Sequence, residues 1–487
     1  MKDLSTQDII KRIKPQLEKA KGKFTVSDAS AATGLSLDNA KEGLKELISL
    51  YQCKLEVTEK GEVLYNFGAK LERRGKKSFK EIMSEVGEML WRGFKIFFKV
   101  WITVMLVAYF VLYVLIMLAL IIASSAGNRD NKNIRLPNFG VLFADLFMRS
   151  ASNAAIIYAM DSHGYRYRTY NQRKWGEPQQ LETKKRFVQS VYDFVFGPER
   201  PNIDHLANEK EVLAFLRENK GVLTTANLIA LAGLSYEEAE IKFSEYLIKF
   251  QGEAEISEDG TLIAYFPNIL SKGSSKLEGG EIELFWDEFE APYVLTGNTT
   301  GKNLGIAAMN VFNLFFSLIF INASSVSASA SEMAMESDNM LLLELTSDPA
   351  IISFATILGW IPFVFSALFF LVPIIRSIIY IVLEKKRLYR NKLRLHYKAI
   401  FDNINRDLSF SDLAHYLNSG KHSKQSESEI NNLIEKAMLL LQGEIELSKV
   451  GVPLFSFKRL RREIQTSTKV KSNLKIDSSL GKIIFNS

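Results

Sequence analysis

Two long apolar stretches without charge lie close together in this chain, and they constrain its folding more than anything else in it. Leu304–Ala323 (LGIAAMNVFNLFFSLIFINA) holds no Asp, Glu, Lys or Arg, and neither does Ala350–Val372 (AIISFATILGWIPFVFSALFFLV). Beyond Val372 the apolar residues continue past Arg376 to Leu383. Each stretch has the roughly 20 apolar residues that span a hydrocarbon core of about 30 Å. Neither has the polar face of a soluble amphipathic helix. Residues 304–323 and 350–383 are therefore read as transmembrane helices. A third run, 100–124, sits between Lys99 and the next charge at Arg129 and is long enough for one crossing.

Charge sets the expected orientation. The intervening loop, 324–349, holds Glu332, Glu336, Asp338, Glu344 and Asp348 and no Lys or Arg, and Ser324–Ser331 reads as a flexible membrane-edge loop. Glu384–Lys398 is strongly basic. The Lys/Arg bias puts that basic end in the cytoplasm and the acidic loop outside, as in a multi-pass plasma (inner) membrane protein. Arg376 is expected to snorkel to the cytoplasmic headgroups. The net charge of +6 is small for 487 residues. Basic residues cluster beside the spans, including a linker at 71–99, and read as membrane-surface anchors rather than as a nucleic-acid footprint. The one cysteine, Cys53, excludes an intramolecular disulfide framework and a Cys-rich metal site built from this chain alone. The start, MKDLSTQDIIKRIK, has no apolar core of a cleavable signal peptide.

Between the spans the sequence reads as soluble α+β modules. In residues 1–70, Thr6–Lys19 is a helix that Pro15 should kink or interrupt. Lys23–Val26 is a short extended piece. Ser27 and Ser36 cap two further helices, the second over Leu37–Leu50. Two alternating runs, Lys54–Thr58 and Glu62–Phe67, flank the turn Glu59-Lys60-Gly61 and signal a hairpin. That order is the winged-helix arrangement. Gly22–Leu71 aligns without a gap on Gly221–Leu270, which defines a second module at 201–272. A third, within 384–460, shows at its wing, where Gln251-Gly252-Glu253 recurs as Gln442-Gly443-Glu444. The fold class expected is α+β with transmembrane helices, three winged-helix-like modules dispersed around about three spans. The tail, 461–487, is basic and Ser/Lys-rich and is expected to be loosely ordered.

Three spans put the first module on the opposite side of the membrane from the other two. Within the linker 125–200, Leu136–Met160 either crosses a fourth time or lies along the interface, the latter favoured because a crossing would bury Asp145 and Arg149. The Tyr/Arg-rich stretch after it, with Tyr165, Tyr167, Tyr170 and Trp175 among Arg166, Arg168, Arg173 and Lys174, reads as a headgroup-level belt rather than a single-strand nucleic-acid platform.

Several landmarks together resemble an uncharacterised family of membrane proteins from cyanobacteria, chloroplasts and scattered other bacteria. They are Ala144-Asp145-Leu146-Phe147, Phe194-Val195-Phe196-Gly197, the block Gly260–Pro267 and the apolar hairpin between Trp286 and Arg376. The resemblance covers roughly residues 95–400 and implies membrane residence, with no established activity.

No catalytic constellation is found, so no enzyme activity and no cofactor is expected. The five histidines form no close metal pair, and there is no Walker-type or G-x-S-x-G motif. A divalent cation on Glu332, Glu336 and Asp338 is disfavoured against a solvated loop, because the spacing is not that of an EF-hand. Inside the first hairpin arm Asn310 and Asn313 lie at i,i+3, and polar groups in hydrocarbon need partners, so that face is expected to contact another helix. The helix of module two that would read DNA begins Tyr236-Glu237-Glu238-Ala239-Glu240, an acidic surface that a duplex repels. Glu237, Glu238 and Glu240 are therefore candidate contacts to a protein partner, or to another module by self-association. The reading is a membrane-anchored interaction platform in the lipid bilayer with modules two and three cytoplasmic. The alternative is a membrane-bound one-component regulator whose first module binds DNA.

Overall fold

The computed structural model describes residues 4–19, 23–68, 70–75, 79–126, 172–174, 185–199, 204–273, 279–336, 356–419, 424–475 and 482–486. The protein is mixed α+β and mostly helical.

The first soluble unit runs α1 (Thr6–Lys19), β1 (Lys23–Phe24), α2 (Val26–Thr33), α3 (Leu37–Leu50), β2 (Lys54–Thr58) and β3 (Val63–Asn66). Ile9, Ile13 and Leu17 repeat every four residues on α1 and are all buried. That apolar stripe carries the helix through Pro15 without the interruption that was one of the two outcomes expected there. Thr25, not Ser27, caps α2: its side chain accepts from Asp28 N, and the Asp28 carboxylate accepts from Thr25 N. Gly34, at φ +75°, closes the helix in the left-handed region.

The long helix α4 (Phe79–Ala126) follows, so most of the expected basic linker is helical. After it come β4 (Gln172–Lys174) and α5 (Phe187–Phe196). The second unit runs α6 (Ala207–Glu218), β5 (Val222–Leu223), α7 (Thr225–Ala232), α8 (Tyr236–Lys249), β6 (Glu253–Ile256) and β7 (Leu262–Tyr265). A short strand, β8 (Glu288–Glu290), pairs antiparallel with β4, which places Arg173 and Lys174 in a strand opposite Phe289 and Glu288. Leu136–Met160, Tyr165, Tyr167, Tyr170 and Trp175 lie outside the described residues.

The second long helix, α9, covers Thr300–Glu336 and runs on through Ser324–Ser331, where a loop was expected. Alanine favours helix, and Ser324 and Ser325 donate back to Ile321 O and Asn322 O at 2.7 and 2.8 Å, which satisfies their hydroxyls locally. A π-helical turn, Thr356–Trp360, leads into α10 (Ile361–Asp402). Helix α10 begins as an apolar stretch long enough to cross a membrane and ends as the first helix of the third unit, with Leu393, Leu395, Tyr397, Ala399 and Ile400 buried. That unit continues with β9 (Leu408–Ser409), α11 (Phe410–Ser419), α12 (Glu427–Leu440), β10 (Glu444–Leu447) and β11 (Pro453–Ser456). The tail is ordered over α13 (Lys458–Asn473) and β12 (Ile483–Asn486).

Among the described residues three helices are long and apolar enough to cross a membrane, over Ile82–Ile122, Thr300–Ser325 and Thr356–Asp402. Their contacts fix their directions. Along α4, Leu106, Phe110 and Tyr113 meet Asn313, Phe312 and Phe316 or Phe320 of α9, so these two helices run parallel. Trp101 meets Phe365, and Tyr113 donates to Leu358 O at 2.5 Å, so α10 runs antiparallel to α4. The start of α4, the start of α9 and the end of α10 therefore share one end of the bundle. All three soluble units sit there, in contact with one another. The sequence left the side of the first unit open, and these contacts place it at the same end of the helices as the other two. Lys185, the next described residue after Gln172–Lys174, is back at that end, where its ammonium donates to Thr296 O just before α9.

Candidate functional site

Two junctions hold the molecule together, one between the apolar helices and one among the soluble units. In the first, Asn310 and Asn313 are fully buried. Asn310 Nδ2 donates to Ser366 O of α10 at 3.0 Å, and Asn313 Nδ2 donates to Leu106 O of α4 at 2.9 Å. One face of α9 thus grips both neighbouring helices through their main chains. Both carboxamide oxygens are buried without a hydrogen-bond partner among the described residues, and Ser366 Oγ is as well. Ile102, Leu106, Val191, Val195, Ile306 and Phe369 pack around them, with α5 lying against the three helices.

At the soluble end of the bundle Arg376 donates to Val195 O and Leu295 O at 2.8 and 2.5 Å. The predicted snorkelling residue is thus a clasp on the end of α5. The close fit requires glycine at 197: its φ is +84°, and a Cβ there would stand 2.1 Å from Arg376 Nη2.

The basic stretch Glu384–Lys398 divides by face. Lys385 and Lys386 are exposed, whereas Arg387 and Arg394 are buried and Arg390 is half-buried. These arginines bind the segment around β8. Arg390 holds the fully buried Glu290 carboxylate with Nε and Nη2 at 2.6 and 2.5 Å. Arg387 Nη1 donates to Glu290 O at 2.6 Å, and Arg394 Nη1 to Phe285 O at 2.6 Å. The planar guanidinium matches the carboxylate in a way a lysine ammonium does not. Reading the stretch as membrane anchors missed this. The available signal was that Arg387, Arg390 and Arg394, at i, i+3 and i+7, share one helical face.

Among the soluble units, the second and third share one apolar core, in which Trp286 packs at a tilt against Phe401, ring centres 4.7 Å apart. The first unit contributes Ala31 and Leu37 to the same core and joins through charge as well. Asp28 and Arg217, both essentially out of solvent, pair at 3.0 Å. Arg217 also donates to Ser27 Oγ at 2.9 Å, and Gly273 N donates to Asp28 at 2.8 Å. Burial lowers the Arg217 pKa, and the Asp28 carboxylate opposes that shift. At the rim, Asp204 accepts from Arg12 and Lys210 at 2.7 and 2.5 Å. Burial pushes its carboxyl up, but the Lys210 and Arg12 hydrogen bonds outweigh it and hold the pKa at about 2.

The three acidic residues singled out on α8 are not brought together for one task. Glu238 closes a capping box with Ser235 at the start of α8. Glu240 pairs with Arg459 of α13. Glu237 is exposed. Arg459 also lies over the Tyr236 ring, 4.4 Å from its centre. The buried Glu463 carboxylate accepts from Ala226 N at 2.9 Å, an anion set at the N-terminus of α7. Lys220 Nζ donates to Lys471 O and Leu474 O at 2.7 and 2.8 Å, capping the other end of α13. The basic tail expected to be loose is thus held at both ends by charges of the second unit.

Fold and junctions together define an α+β protein with helices fit to span a membrane and a soluble body at one end of them. No family model matches the chain, and no solved structure matches it. It is similar to the uncharacterised chloroplastic protein At5g03900 of Arabidopsis thaliana, 22% identical over 339 residues, 66% of this chain and 62% of that protein. The chain therefore spans under two thirds of that relative's length.

Proposed function

We propose that the protein is a membrane-anchored interaction platform, in which three winged-helix-like modules form one rigid body on the cytoplasmic face of a plasma (inner) membrane. The observation that carries this reading is α10. Its first part is an apolar span and its last part is buried core of the third unit, so module position and membrane position are coupled without a flexible linker. Each unit has the succession helix, short strand, two helices and hairpin that a winged helix uses. The basic flank Lys385–Lys386 agrees with a cytoplasmic placement.

The regulator reading is weaker on one specific ground. A recognition helix presents its N-terminal residues to base edges. In the corresponding helix α3 the second residue is Asp38, whose carboxylate accepts from Gln251 of the second unit at 3.0 Å. Its exposed residues Asp38, Lys41, Glu42, Lys45 and Glu46 carry no net positive charge.

Cysteine labelling tests the placement. After Cys53→Ser, single cysteines are introduced in the first unit, near Ser329 and in the third unit, and intact cells receive a membrane-impermeant reagent. Labelling near Ser329 alone is the expected result. Labelling of the first unit without the third would overturn it. In-cell cross-linking from Glu237 tests the platform itself: capture of no protein at all would remove it.

A further inference from the structure

The hairpins of the three units differ in one respect. In the first, β2 is not an edge: its sheet runs β1-β3-β2-β12, with the C-terminal strand laid antiparallel along it. Among the described residues the corresponding strands β6 and β10 are edges of their sheets. Register shows which groups are left over. Ser448 N donates to Val452 O across the third hairpin at 2.9 Å. Because N–H direction alternates along an antiparallel strand, Ile445 and Leu447 aim their N–H and C=O groups away from β11. Leu55 and Val57 hold the same positions in β2, and there Val57 is opposite Phe485 of β12. Around β10, Ile445 is 67%, Leu447 75% and Val450 88% exposed. An apolar edge of this kind is a template for another strand.

We propose that β10 is a strand-acceptor site for an extended segment of a partner protein, apolar with a lysine at its start, of the chemistry that Lys482–Asn486 has. The chain itself shows what lies along an equivalent edge: Ile483, Ile484 and Phe485, with Glu59 N donating to Lys482 O at 2.9 Å. Main-chain bonds supply the affinity of such an addition, and alternate side chains supply the selectivity. Glu444 and Glu446 share the Lys458 ammonium, which leaves β10 with one net negative charge, and that suits a cationic flank. Antiparallel self-pairing centred on Ile445 sets Glu444 opposite Glu446 of the other copy, which like charges disfavour, whereas pairing centred on Leu447 brings no two Glu together, so a second copy is an outcome the test distinguishes. Strand β6 has one large apolar residue, Ile256, beside Glu253 and Glu255, and is the poorer template.

This inference deepens the platform reading, and its test needs no cellular partner. The full chain in nanodiscs is titrated with a fluorescent peptide, LGKIIFNS, the sequence of residues 480–487. Saturable binding is expected, weakened about tenfold by Leu447→Pro, which removes one outward N–H from an edge strand. Two N-methylated peptides avoid altering the protein. One is methylated at Ile483 and Phe485, the other at Ile484 and Asn486, and only one of the two should lose binding, because pairing has a period of two. No saturable binding, equal behaviour of the two peptides, or indifference to Leu447→Pro would each overturn the site. So would loss of binding in Val57→Pro alone, which would mean that the peptide replaces β12. So would self-association of the chain through Leu447. Failure here leaves the cross-linking test of the platform untouched.

Discussion

Asp28 of the first soluble unit and Arg217 of the second meet at 3.0 Å with neither side chain more than 2% exposed. Asp28 has two duties, since the same carboxylate closes the capping box of α2. Removing one member of a buried pair strands the other, a cost of about 3–5 kcal/mol. Arg217→Met and Asp28→Ala should each release the first unit from the second, Asp28→Ala with the larger loss because the cap goes as well. The double variant Asp28→Ala/Arg217→Met should lose clearly less than the sum of the two single changes. Thermal unfolding of the full chain in detergent, read as a double-mutant cycle, measures the coupling; additive losses would contradict this account.

Asn310 and Asn313 each give one donor bond to a neighbouring helix. Such bonds contribute about 1 kcal/mol in membranes, since the unfolded reference state also finds partners. Asn310→Leu should loosen α9 from α10 and Asn313→Leu should loosen α9 from α4, each by that order. Unfolding in mixed micelles reads both. Unchanged stability in both variants would mean that apolar packing alone sets the helix contacts.

Gly197→Ala should be costly for two reasons that can be separated. The backbone conformation at φ +84° strains any Cβ by about 1–3 kcal/mol, and that Cβ also meets Arg376. Arg376→Ala removes the second reason only. In an Arg376→Ala background the glycine substitution should therefore cost less, and stability of the four variants in detergent gives the difference.

Two groups set opposite pH trends. The folded Asp204 pKa of about 2 lies below its unfolded value of roughly 3.9, so its contribution is complete above the unfolded value and is lost as pH falls through the folded one. The contact of α1 with the segment before α6 should weaken from pH 4 towards pH 2, and Asp204→Asn should abolish that dependence. Burial lowers Lys471 to about 8 against roughly 10.4 unfolded. A lowered lysine destabilises the folded state while charged, and the penalty is relieved as pH rises from about 8 towards 10. Lys471→Met should hold α13 more firmly at neutral pH, on the order of 1 kcal/mol, and flatten this trend. Hydrogen exchange of α13 across that range checks the sign.

Apolar spans, helix periodicity and hairpin turns were legible because each is a local signal. About 20 uncharged apolar residues suffice to mark a span, and Ile9, Ile13 and Leu17 mark a buried face without reference to the rest of the chain. The partners of charged residues were not legible. Arg376, Arg387, Arg390 and Arg394 read as headgroup anchors because position beside a span is local information. Glu290, which Arg390 binds, lies 100 residues away in the chain.

By itself the sequence determined that this chain carries helices long and apolar enough for a membrane and soluble α+β segments between them. Only the tertiary structure decided that α4 and α9 run parallel, that all three soluble units gather at one end of the bundle, and that the basic tail is built into the second unit and the sheet of the first. The physical reason is range. A span or a helix face is set by side chains within a few turns of each other. Direction and docking are set by single contacts such as Asp28 to Arg217 and Asn313 to Leu106, between residues about 200 positions apart.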